Sequence, residues 1–84
     1  MPPEQSVITA MLTATAFNRL RFLDVKFAGD YVEILISSPF DEEFGLPFTR
    51  GYIHGVVNTA LDGLHSMEYR KVSGDTYRFA FKRV

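Results

Sequence analysis

The chain has 84 residues, a mass of 9.6 kDa and a formal net charge of −1, with nine Lys and Arg against ten Asp and Glu. Hydrophobic residues make up 46% and charged residues 23%, an ordinary globular balance that excludes disorder and fibrous repeats. With no cysteine there is no disulfide to staple a domain this small, which leaves good packing or self-association as its source of stability.

The same arithmetic bounds the partners. A chain without a basic surplus is poorly matched to a phosphate backbone, so nucleic acid is not expected. No apolar run approaches the ~20 residues of a membrane-spanning helix, and Met1–Ser6 lacks the basic start of a signal peptide. A single cytoplasmic domain over residues 1–84, with no cofactor, is expected.

In chain order, the first element is a helix from Glu4 to about Leu20. Val7, Ile8, Met11, Leu12, Ala16 and Phe17 recur at helical spacing, Pro3 suits the first turn, and the many Ala and Thr residues allow close approach of another element. A hairpin follows. Leu23, Val25 and Phe27 alternate with polar residues, Gly29-Asp30 supplies the turn, and Val32, Ile34 and Ile36 alternate on the return. This register places Leu23 opposite Ile36, Val25 opposite Ile34 and Phe27 opposite Val32, with Lys26 facing Glu33 as an opposite-charge pair.

Ser37 to Pro47 reads as a loop with an acidic, solvated run at Asp41, Glu42 and Glu43. Pro47 opens a second helix whose apolar stripe is Tyr52, Ile53, Val56, Val57, Ala60, Leu61 and Leu64, with Gly63 as its terminator. Gly51 and Gly55 stand one turn apart on another side, a spacing that predicts very close packing. The tail is a second hairpin. A three-residue loop at Ser73-Gly74-Asp75 sets Met67, Tyr69, Phe79 and Phe81 on one face, with Arg70 and Arg78 on the other. The fold class is therefore α+β, ordered α-β-β-α-β-β: a four-stranded antiparallel sheet with two helices packed on one face.

Candidate chemistry is sparse. Arg50, His54, Asn58 and Asp62 share one side of the second helix. His54 reads either as a general base or ligand, or as part of a solvated face, and the solvated face is preferred. His65 is read as a cation at a helix end. No metal-binding spacing, nucleophile elbow or phosphate loop is present, so no catalytic residue and no metal ligand is assigned. The eight Phe and four Tyr are more suggestive. Phe40, Phe44, Phe48 and Tyr52 surround the start of the second helix and are candidates for an apolar ligand site. Gly51, Gly55 and Thr59 are candidates for an interface, with a homodimer or a related subunit as the expected partner.

The hairpin with Gly29-Asp30, the Ser38-Pro39-Phe40 loop, the helix from Phe48 to Leu61 with its glycine pair, and Glu68, Gly74-Asp75 and Phe79 together resemble the 4-vinyl reductase domain family. Through it they resemble the Bet-class subunits of the TRAPP vesicle-tethering complex, over about residues 20–83. The resemblance implies a compact domain that binds small apolar molecules or serves as an assembly module, often as a dimer. Many members carry cysteines that ligate metal; this chain has none, so no metal site is carried over. Arg50–Gly55 is similar to the helix of LAGLIDADG endonucleases without its acidic residues. His54-Gly55 with Asp62 is similar to hotdog thioesterases without their later strands. Neither is taken further.

Overall fold

Both helices begin on a proline. In the computed structural model, which describes residues 2–17 and 20–84, α1 spans Pro3–Ala16 and α2 spans Pro47–Ala60. Proline loses nothing at the first helical position, because that N–H has no intrahelical acceptor and the ring already fixes a helical φ. Between and after the helices run β1 (Arg21–Ala28), β2 (Tyr31–Ser37), β3 (His65–Ser73) and β4 (Thr76–Arg83), with a short 3₁₀ turn at Glu42–Phe44. The strands form one antiparallel sheet in the order β1-β2-β4-β3, the α+β arrangement that the sequence predicts.

α1 stops at Ala16, short of the expected Leu20. The Thr13 hydroxyl donates back to the Thr9 carbonyl (2.9 Å) and the Thr15 hydroxyl to that of Met11 (3.1 Å), a habit that weakens helices. The Thr15 oxygen also accepts the Phe22 amide at 3.0 Å, drawing β1 against the helix end. The last turn of the expected helix includes Asn18 and Arg19, which lie outside the described residues.

In the first hairpin Gly29 takes a φ of 60°, and Phe27 pairs with Val32 and Val25 with Ile34 as expected. The register then shifts between Phe22 and Asp24, so Phe22, not Leu23, lies opposite Ile36. The extra residue of this bulge reverses the alternation: Phe22 packs against the core and Leu23 is exposed. Lys26 does lie opposite Glu33. The Glu33 carboxylate, however, accepts the Tyr31 hydroxyl at 2.9 Å and approaches Arg78 of β4 at 4.0 Å instead.

The second hairpin pairs Met67 with Phe81, Tyr69 with Phe79 and Arg70 with Arg78, the expected register. It is reached differently. Ser73 pairs with Thr76 across a two-residue Gly74-Asp75 turn, and the extra residue sits in β3 as a bulge between Lys71 and Ser73. Val32, Ile34, Ile36, Phe79 and Phe81 point to one face of the sheet and are buried there with Val7 and Met11 of α1 and Ile53 and Val57 of α2. The opposite face carries Asp24, Lys26, Glu33, Glu68, Arg70 and Arg78.

Candidate functional site

The α2 helix is held at both ends by side chains from outside it. At its start, Leu46 occupies the cap position with a φ of 63°, a left-handed conformation costly for leucine, and is buried in compensation. The cap is supplied from further back. The Asp41 carboxylate accepts the amides of Phe48 (2.7 Å) and Thr49 (2.9 Å) and the Thr49 hydroxyl (2.6 Å). Asp41 is only 3% exposed, so the solvated acidic loop expected here is corrected: its first residue is a buried helix cap. Burial alone pushes its carboxyl upward, but the hydrogen bonds from Thr49 and Phe48 outweigh that and hold it below the ordinary range. Glu42 ties the same loop to the sheet by accepting the Tyr77 hydroxyl at 2.7 Å and pairing with Lys71 at 3.2 Å. Hydrogen bonding to Glu42, with some burial, pushes the Tyr77 phenol up to about 12.

At the far end, the left-handed residue is Asp62 (φ 50°), not the expected terminator Gly63. The Gly63 amide closes the helix on the Asn58 carbonyl at 3.1 Å. The space beside Gly63 is taken by the Arg83 guanidinium, which a Cβ there would displace and which donates to the Leu61 and Asp62 carbonyls at 2.7 and 3.2 Å. The side read as solvated, with His54 and Asn58, instead binds the start of β3. His54 Nε2 donates to the His65 carbonyl at 2.6 Å, and Asn58 Oδ1 accepts the His65 amide at 2.9 Å and Nδ1 at 3.0 Å. His65, expected at a helix end, is a buried strand residue whose Nδ1 also lies 3.0 Å from the Gly63 carbonyl.

The outer side of the helical layer is where the candidate interface residues gather. Gly51, Tyr52, Gly55 and Thr59 of α2, with Ser6 and Ala10 of α1, line an open furrow of about 680 Å³ between the two helices. The close packing expected of the glycine pair does not occur within the chain: both glycines are exposed, and a Cβ on either would meet nothing within 4 Å. Tyr52 bridges the furrow, donating to the Ala10 carbonyl at 2.8 Å; burial raises its phenol pKa. Beyond it the furrow continues as a 230 Å³ pocket lined by Thr13, Ala14, Phe17, Phe48 and Tyr52.

Of the four candidate aromatic residues, the structure brings three together. Phe40 meets Phe48 edge-on at 5.2 Å, and Phe48 stacks on Tyr52 at 5.8 Å. Phe40 and Phe48 remain 46% and 47% exposed, and Phe44 stands apart at 73%. Phe17, which sequence reasoning assigned only to the apolar stripe of the first helix, joins the furrow wall while 73% exposed. Its position at the end of α1 was the one available signal, because an aromatic there escapes the helix's buried stripe. Among the described residues, no three of His, Asp and Glu gather to hold a metal ion, and no helix is long and apolar enough to cross a membrane. Compared with known protein families, with curated proteins and with solved structures, the chain matches none.

Proposed function

We propose that the chain is a non-enzymatic assembly module that dimerises through its helical layer, the role implied by its resemblance to 4-vinyl reductase and Bet-class domains. One observation carries this reading. Gly51 and Gly55 lie inside α2, on its exposed side, with open space beyond each Cα. A glycine in a helix interior costs about 1 kcal/mol relative to alanine, and no close contact within the chain offsets that cost. A partner backbone approaching the furrow does. The exposed Phe17, Phe40 and Phe48 beside the furrow add apolar surface that such a contact removes from water. Small-angle scattering at increasing concentration tests this: a scattering mass twice 9.6 kDa is expected, and a single-chain mass throughout contradicts it.

A second reading has its own support in the pocket beside Phe17, Phe48 and Tyr52, which suits a small apolar ligand and makes the protein a sensor. Native mass spectrometry of freshly purified protein distinguishes them. A co-purified small molecule, together with a thermal shift from hydrophobic compounds, favours the sensor; neither is expected of the assembly module. In both readings His54 is structural, its Nε2 committed to the His65 carbonyl.

A further inference from the structure

The two halves of the chain are related by an internal two-fold axis that side-chain identity conceals. Both helices have 14 residues and open on proline. Both hairpins turn at Gly-Asp with a left-handed glycine, Gly29 (φ 60°) and, 45 residues on, Gly74 (φ 45°). The central strands obey the same step: Val32 pairs with Phe81 and Ile36 with Tyr77, each pair the image of the other. So do two loop hydrogen bonds, Ser38 amide to Asp75 carbonyl and Arg83 amide to Asp30 carbonyl, both 3.0 Å. The helices run antiparallel, since Ser6 shares the furrow with Thr59 and Phe17 shares it with Phe48. The axis thus passes between β2 and β4 and leaves through the furrow, near Ala10 and Gly55 at the middle of the two helices.

The outward helical face is also almost free of charge. Of nine basic and ten acidic residues, only Glu4 lies in α1 and only Arg50 in α2, while the opposite sheet face is studded with both signs. An uncharged face demands an uncharged partner, and within this molecule the helical layer is the face that answers that description. Two 14-residue helices side by side cover about 20 by 20 Å, on the order of 600 Å² of accessible surface per copy, which brings a pair to the lower end of the range of stable interfaces.

Resting on the reading that the helical layer is a docking surface, we infer that its occupant is a second copy of this chain, seated face to face with the two internal axes aligned. The dimer axis then crosses them at right angles in the interface, and four helices lie in two stacked layers between the two sheets. In this arrangement that axis runs across the helices, along the line from Ala10 to Gly55, so that each of these residues faces its own counterpart.

A chain without cysteine lets this be tested by single introduced thiols. Gly55→Cys adds a side chain into open space, and Ala10→Cys is its counterpart on α1; Glu68→Cys on the outer sheet face is the control. Circular dichroism melts establish that each variant folds. Under mild oxidation Gly55→Cys and Ala10→Cys are expected to become covalent dimers in the majority of molecules, because a disulfide needs Cα atoms within about 7 Å, while Glu68→Cys stays monomeric on a denaturing gel. A wild-type mass of two chains with neither Gly55→Cys nor Ala10→Cys cross-linking overturns the aligned arrangement and leaves association itself standing. A wild-type mass of one chain overturns both.

Discussion

Asp41 ties its loop to the start of α2, where three donors converge on its carboxylate. Replacing it with alanine strands two amides and a buried hydroxyl, a loss of about 2–3 kcal/mol in urea denaturation. Its pH dependence has a definite sign. The folded carboxyl titrates below the ordinary value of 3.8, so its stabilisation is complete well above that value and is lost as pH falls through the lower folded one. Wild-type urea midpoints should drop on acidification below pH 4, and Asp41→Asn, already lacking the charge, should drop less. Tyr77 behaves in the opposite sense. Its phenol is held protonated up to about 12 by Glu42, so its contribution is present below pH 10 and lost between pH 10 and 12. Hydrogen bonding to Glu33 raises the Tyr31 phenol and burial that of Tyr52, so in an ultraviolet titration three of the four tyrosines should ionise late, and Glu42→Gln should bring one of the three to lower pH.

At the scale of elements, the two hairpins and the second helix were readable because their signals are local: Gly-Asp turns, period-two alternation, and proline at a helix start. The departures arise where a tertiary contact overrides a local rule. In β1 strict alternation assigns Leu23 to the core, but the bulge sends Phe22 inward. Stability measurements separate the two: Phe22→Ala should cost about 2–3 kcal/mol and Leu23→Thr less than about 0.5. Asp41 was misread because a helix cap is sought directly before Pro47, where Leu46 stands, and no sequence rule reaches back to a residue whose loop folds over. Spacing along one helix assigns His54 to a solvated face and His65 to a helix end, because the return of β3 beneath α2 is a property of the sheet order, which that spacing does not encode. The glycine pair predicts close packing, but nothing within the chain lies against it, and the space it leaves is outside the chain.

On the scale of the whole molecule, a cysteine-free chain of 84 residues sets charges of both signs on the outer face of its sheet and leaves its helical layer nearly neutral, with a furrow of small residues and exposed phenylalanines beside it. Packing accounts for the inner side of the helices; association through the outer side is the account offered for the rest. Sedimentation equilibrium of the wild type beside the Gly51→Leu/Gly55→Leu double variant tests that directly. Both leucines enter open space in the single chain and favour helix over glycine, so the fold is kept while the furrow is filled. The wild type should sediment at twice 9.6 kDa at tens of micromolar and the folded variant at the mass of one chain; equal masses for the two would contradict the account.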